Sequence, residues 1–195
     1  AAAKSVLAFE IDEKLAPILR ETLRDCPNAK VVFRDFLKTD LKTLEQQLPD
    51  YTVIANLPYY ITSPLVMKFI DESDKAQKLV IMVQDDVAKR FCARENTPEY
   101  GAITAAIALK AEAEIVKSVP RRMFFPVPNV DSAVVKLTFR RGRLPVKSEE
   151  FYKKTVRCAF ANRRKTLENN LVNSFSLTRE EARGILAGAG VRNKA

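Results

Sequence analysis

Residues 56–59 read Asn56-Leu57-Pro58-Tyr59 and follow directly on the apolar, β-branched run 51–55. A proline fixes its own φ and pushes the residue before it out of helical space, so the chain leaves this run stiff and extended. Asn56 offers an amide carbonyl and an amide NH2, Leu57 and Pro58 offer backbone carbonyls, and Tyr59 offers a flat ring. These groups suit a planar base with an exocyclic amine. The carbonyls accept its N–H protons and the ring stacks on it. The same residues are also ordinary turn chemistry, and a tyrosine at a strand end is often core edge. The companions of the tetrapeptide decide between the two readings.

Those companions stand at the ends of neighbouring apolar runs. The first run ends at Glu10, whose carboxylate can accept both hydroxyls of a ribose, and Asp12 follows as a helix cap. The second ends Arg34-Asp35-Phe36-Leu37, where Asp35 can take an adenine amine while the apolar residues after it pack on the ring. The fourth ends Gln84-Asp85-Asp86. Taken singly, Glu10 reads as a solvated strand end and Asp35 as another cap. Taken jointly, two acids and Asn56-Leu57-Pro58-Tyr59 at successive strand ends fit one nucleoside cofactor and one base. Ligands of open parallel sheets sit outside the carboxyl ends of the strands.

Strand and helix signals alternate to deliver these ends. Strands are expected at 5–11, 30–34, 51–55 and 78–83, with helices at 12–24, 41–48, after 63 and at 85–92. Short apolar strands alternating with helices predict a parallel α/β sheet with helices on both faces. The pattern then changes. An Ala-rich helix at 103–113 precedes two closing strands, 114–119 and 132–139, antiparallel at an edge. The loop between them carries three prolines, Pro120, Pro126 and Pro128, and the pair Phe124-Phe125. Beyond a basic linker at 140–145 only helices are expected: one from 148 to 172, and one from 178 to 187 opened by a Thr178/Glu181 capping box. The division predicted is a Rossmann-like body at 1–143 and a small α-helical domain at 144–195.

Composition excludes several chemistries. The 195 residues include no histidine, which removes imidazole acid/base catalysis and Ser–His or Cys–His nucleophiles. Methyl transfer from a sulfonium donor to an aromatic amine runs without an imidazole, because it needs positioning and local dipoles more than a strong base. The three cysteines, Cys26, Cys92 and Cys158, lie far apart in the sequence. Neither a disulfide framework nor a metal site is expected, and a reducing cytoplasm is the simpler home. No run of apolar residues is long enough to span a membrane, and the N-terminal apolar stretch is too short for a secretory signal. The net charge of +9 is uneven: residues 145–195 hold 11 Lys and Arg against 5 Asp and Glu. A basic appendage on a nearly balanced body points to a polyanion, nucleic acid above all.

The tetrapeptide resembles the active-site loop of methyltransferases that modify the N6 amine of adenine. The motifs at 9–12, 34–37, 56–63, 82–84, 100–101, 124–133 and 160–167 occur in order and span nearly the whole chain. Together they resemble the bacterial small-subunit (16S) ribosomal RNA adenine N6,N6-dimethyltransferases, the kasugamycin-resistance family. The resemblance implies S-adenosyl-L-methionine as methyl donor. It implies two adjacent adenosines near the 3′ end of the small-subunit RNA as target, in an immature 30S subunit, with the enzyme acting as a cytoplasmic monomer. By match to the family pattern, Glu10 would hold the cofactor ribose and Asp35 its adenine amine, with Phe36 and Asn56 bordering the same ligand. Asn56, Leu57 and Pro58 would hold the target amine, and Tyr59 and Phe124 would sandwich the target base. Phe125 is expected in the core. A helix bearing Arg163, Arg164 and Lys165 would face RNA.

One departure from the pattern is large. The Gly-rich loop that the family carries ahead of the Glu10 strand is missing, so a fragment truncated at both ends, inactive alone and weak in cofactor binding, is expected. The rival readings are a 23S RNA methylase of the macrolide-resistance type and a non-catalytic RNA-binding or ribosome-assembly factor.

Overall fold

The computed structural model describes residues 3–142, 146–162 and 164–191. The architecture is the α/β class expected, a Rossmann-like sheet with helices, but the sheet is in two pieces. β1 (Val6–Glu10) and β2 (Ala29–Phe33) form a parallel pair. β3 (Tyr51–Asn56), β4 (Ala76–Gln84), β5 (Ala111–Val119) and β6 (Ser132–Phe139) form a second sheet in the order β3-β4-β6-β5. β3 and β4 run parallel, while β6 is antiparallel to both β4 and β5. The two closing strands are therefore antiparallel at an edge, as expected.

The helices after β3 cover one face of the larger sheet. They are α3 (Tyr59–Glu72), α4 (Asp85–Phe91) and α5 (Ala102–Lys110), preceded by α1 (Ala16–Thr22) and α2 (Leu41–Gln46). Phe69 and Ile70 of α3, Phe91 of α4 and Ile107 of α5 share a core with Leu79, Ile81 and Val83 of β4 and Val135 and Leu137 of β6. Alternation along the strands sends their other side chains away from that core. Ile54 of β3, on the opposite face, is 82% exposed. The expectation of helices on both faces is thus corrected: among the described residues the core of this sheet lies on one side. Phe36 links the smaller sheet to the core, edge-on to Phe9 at 5.0 Å and stacked on Phe69 at 5.5 Å.

The end of the sheet away from Asn56 is tied by one carboxylate. Glu45 of α2 is only 4% exposed. Its Oε1 accepts from the Tyr51 hydroxyl at 2.5 Å and the Ser73 hydroxyl at 2.5 Å. Its Oε2 accepts from the Asp74 amide at 2.9 Å and the Lys75 amide at 3.3 Å. One side chain thereby joins α2, the start of β3 and the turn from α3 to β4.

The helical segment departs from expectation. The helix expected over 148–172 is two: α6 (Glu149–Phe160) and α7 (Leu167–Phe175), followed by α8 (Arg179–Gly188). The break has a local cause. The Asn162 side chain accepts the Arg164 amide at 3.1 Å, and Thr166 caps α7. Buried Asn170 donates to the carbonyls of Ala159 at 3.1 Å and Asn162 at 3.4 Å, closing the end of α6. The Thr178/Glu181 capping box is present. Cys158, Leu171, Ala182 and Leu186 form a second hydrophobic cluster. Polar contacts join this cluster's helices to the body. Lys153 binds Asp71 at 2.5 Å and Glu149 at 2.7 Å, Lys110 binds Glu149 at 2.9 Å, and the Tyr152 hydroxyl donates to the Ala105 carbonyl at 3.0 Å.

Burial alone would raise the Glu45 pKa, but the hydrogen bonds from Ser73, Tyr51, Asp74 and Lys75 outweigh it and hold the carboxyl below its ordinary value. A depressed folded pKa gives stability that is complete above the ordinary carboxylate range and is lost as pH falls through the folded value. Glu45→Ala is expected to lose at least about 2 kcal/mol near neutral pH, because buried donors are left unpaired. Urea melts at several pH values check this. The gap between wild type and variant should narrow as the pH drops into the carboxylate range.

Candidate active site

Asn56 is the last residue of β3 and lies exposed opposite Met82 of β4. Leu57 packs its side chain on the core, which fixes the backbone of the turn. Pro58 sits at the N-cap of α3 with φ −54° and ψ 136°, the conformation its ring prefers. Helix α3 starts at Tyr59, earlier than the sequence pattern suggests, and Pro64 lies inside it. The tetrapeptide is therefore a strand-to-helix turn without intervening loop.

Tyr59 is half-buried, and its hydroxyl lies 2.9 Å from the Ser132 Oγ. Ser132 is completely buried at the first position of β6, opposite Gln84. This bond joins residues 73 apart in sequence and locks the Tyr59 ring at both ends. From Ser132 the chain runs back into the loop 120–131. There the Asp131 carbonyl accepts the Asp85 amide at 3.0 Å, and the Asp131 side chain accepts the Arg121 amide at 2.8 Å. Phe124 is half-buried in this loop. Asn56, Tyr59 and the loop bearing Phe124 thus stand at one end of the sheet. The roles of Ser132 and Asp131 were not legible in the sequence, because each acts through a partner distant along the chain.

Glu10 and Asp35 form a separate pair at the ends of β1 and β2, where the Glu10 carbonyl accepts the Arg34 amide at 2.8 Å. The Glu10 Oε1 accepts the amides of Ile11 and Asp12 at 2.7 and 2.8 Å. Asp35 caps a 3-10 turn through the Leu37 amide at 2.9 Å, and Asp12 caps another through the Lys14 amide at 3.0 Å. Both Glu10 and Asp35 are thus oriented by their own backbone, with carboxylate oxygens that can also accept ribose hydroxyls or an adenine amine. Phe36, next to Asp35, is held between the rings of Phe9 and Phe69. Asp85 and Asp86 instead pair with Lys89 at 2.7 Å and Arg90 at 3.3 Å within α4.

Two expectations are corrected. Phe125 is not in the core: it is fully exposed, because its neighbour Phe124 takes the inward position. Arg164 and Lys165 lie exposed in the turn between α6 and α7 and not on a helix, and Arg163 lies outside the described residues. Burial, with a contribution from Glu114, pushes the Cys92 thiol up to about 11, so it is no nucleophile near neutral pH. Among the described residues no cluster of ligating side chains could hold a metal ion. None of the described helices is long and apolar enough to cross a membrane.

Known proteins match this chain over most of its length. Residues 1–195 match the family described as ribosomal RNA adenine dimethylase. The chain is 45% identical over 179 residues to a ribosomal RNA small subunit methyltransferase A of Geobacillus thermodenitrificans, covering 89% of this chain and 61% of that protein. A protein of the same description from Streptococcus thermophilus is 45% identical over 183 residues, covering 91% of this chain and 63% of its own length. The chain therefore spans under two thirds of these relatives. The crystal structure of the 23S rRNA methyltransferase ErmE superposes with a TM-score of 0.73 at 28% identity, covering 99% of this chain and 75% of that one. A dimethyladenosine transferase from Plasmodium falciparum shares the fold, with a TM-score of 0.70 at 24% identity over 98% of this chain and 69% of that one.

Tyr59→Phe keeps the ring but leaves the buried Ser132 hydroxyl unpaired, which is expected to cost about 1–3 kcal/mol. Adding Ser132→Ala should recover part of that loss. A double-mutant cycle from chemical denaturation measures the coupling. A coupling near zero would mean that the two hydroxyls do not hold the turn to β6.

Proposed function

We infer the function from kinship: the chain belongs to the ribosomal RNA adenine dimethylase family. We propose that the whole protein dimethylates N6 of two adjacent adenosines near the 3′ end of the small-subunit (16S) RNA, within an immature 30S subunit in the cytoplasm. The observation that carries this reading is the turn Asn56-Leu57-Pro58-Tyr59, rigid at the end of β3 and fastened through Tyr59 to Ser132 beneath the loop of Phe124. A flipped base needs acceptors for its amine and a ring to stack on, and this corner supplies both.

S-adenosyl-L-methionine, when bound, supplies an electrophilic methyl group. Glu10 and Asp35 fit its adenosine part, because both are carboxylate acceptors at adjacent strand ends. The target amine would attack that methyl group with its own lone pair; the S–CH3 bond would break as the C–N bond forms, the donor would leave as a neutral thioether, and the positive charge would pass to the amine nitrogen. The Asn56 side-chain oxygen and the Leu57 carbonyl accept its N–H groups, which orients the lone pair and stabilises the developing charge. Tyr59 and Phe124 hold the extruded base between them. The proton is lost after transfer, when the amine is strongly acidic, so no imidazole is required. The 45% identity to small-subunit relatives, against 28% to the 23S enzyme, favours the small-subunit target.

In the whole protein, Asn56→Ala should lower single-turnover methyl transfer to immature small subunits by roughly 10²–10³, the usual loss for one oriented polar group at a developing charge. Cofactor affinity should stay nearly intact by calorimetry. A near-normal transfer rate would remove Asn56 from the chemistry. Replacing Arg163, Arg164 and Lys165 together with alanine should weaken subunit binding. The log–log salt slope should flatten by about 0.7–0.9 for each phosphate that is no longer neutralised. An unchanged slope would show that this basic turn does not touch the RNA backbone.

A further inference from the structure

The loop 120–131 carries more apolar surface than its role at the target base explains. Phe125 is fully exposed, Met123 is 72% exposed and Val127 is 59% exposed. Single exposed apolar residues are common, but three within five positions of one loop mark a contact surface. The loop cannot fold them away. Asp131 holds the Arg121 amide at 2.8 Å, the Arg121 side chain reaches the Asn129 carbonyl at 3.4 Å, and the Met123 amide reaches the Pro120 carbonyl at 2.9 Å. Pro120, Pro126 and Pro128 remove further freedom. A backbone held in this way has less conformational entropy left to lose on binding.

The kind of partner follows from the neighbours. Arg121 and Arg122 are exposed on the same turn as Met123. Flat apolar surface beside cations suits an unpaired nucleotide, which presents a base face and a phosphate together. The place follows from the chain. Phe124 is half-buried with extended backbone, in the loop that leads into Ser132, and Phe125, next in sequence, faces the other way into solvent. We propose that Phe125, backed by Met123, is a second stacking platform. It takes the base next to the flipped target in the RNA strand, while Arg122 meets the phosphate between the two. Extrusion of the target leaves a neighbouring base face unstacked, and Phe125 covers it. This proposal rests on the reading of the chain as an RNA adenine methyltransferase.

The test uses the whole protein and an RNA of the small-subunit 3′ end carrying 2-aminopurine beside the target adenosine. Wild type should change the probe's fluorescence on binding. Phe125→Ala should lose that change and raise the KM for the RNA by about tenfold, within the range for one aromatic–base stack. Phe125→Tyr should behave as wild type, whereas Phe125→Leu, which keeps apolar area without a ring, should behave as Phe125→Ala. Because the side chain is fully exposed, melting temperatures should not move. Asn56→Ala separates this proposal from the reading beneath it, since it should lower transfer by roughly 10²–10³ and leave the probe signal intact. Wild-type probe signal and KM in Phe125→Ala, with methyl transfer intact in the wild type, would overturn the stacking platform alone. No methyl transfer to this RNA or to immature subunits by the wild type would overturn the underlying reading as well. If Phe125→Ala lost association with anionic lipid vesicles and kept the probe signal, the surface would be a membrane contact and the proposal would fail.

Discussion

A buried strand must have its backbone groups paired on both sides, and in the larger sheet β4 and β6 meet that requirement, β4 between β3 and β6. Its partners run in opposite senses, β3 parallel and β6 antiparallel. This arrangement brings the end of β3 and the beginning of β6 to the same end of the sheet, on either side of β4. Asn56 lies opposite Met82 and Ser132 opposite Gln84, two residues further along. Two residues are about 7 Å along the strand, and crossing β4 adds about 10 Å sideways. The turn from Asn56 to Tyr59 covers part of that span and the tyrosine side chain the rest. The bond between Tyr59 and Ser132 is therefore a consequence of register. A slip of one residue in either ladder would turn its partners to the wrong face and dismantle the corner.

The other end of the sheet is held differently. Glu45 brings one carboxylate to four donors, and such a fully satisfied buried charge is stabilising where an unpaired one would be costly. The helices beyond residue 146 meet the body through a third kind of contact. Burial works against the charge on Glu149, but Lys153 and Lys110 hold its pKa down; burial works against Lys153 as well, but Asp71 and Glu149 hold its pKa up. The attachment is mainly polar, with one ring contact between Tyr100 and Phe160 at 6.1 Å, whereas each part is apolar within. Polar interfaces of this kind permit relative motion more readily than a continuous core does.

Much of this was legible in the sequence. Alternation of short apolar runs with helical stretches located the six strands of the described residues and the α/β class, and the Asn56-Leu57-Pro58-Tyr59 turn stood out against its strand. Local signals failed where tertiary contacts overrode them. A helix is expected only after residue 63, yet α3 begins at Tyr59, with Pro64 inside it, because Leu65, Val66, Phe69 and Ile70 bury its face. The carbonyl of Tyr60, which Pro64 cannot serve, belongs to an exposed residue that water can reach. The long helix over 148–172 failed for the reverse reason. Asn162 and Asn170 reward a turn with hydrogen bonds that a count of helix formers does not see. Which of two adjacent phenylalanines points inward is likewise decided by the fold around them.

The loop that carries Phe124 and Phe125 is the closed end of a hairpin. Its two strands stay paired from Ala111 opposite Phe139 to Val119 opposite Ser132, with one register shift between Ile115 and Lys117. Such a ladder isolates what lies beyond it. Residues can be added, removed or exchanged at the tip without altering the alternation that buries Val135 and Leu137. What the tip presents to solvent is therefore free to change at a different rate from the turn at Asn56 and the ladder behind it. The positions that face water there, Met123, Phe125 and Val127, can be rewritten while the rest of the architecture stays untouched.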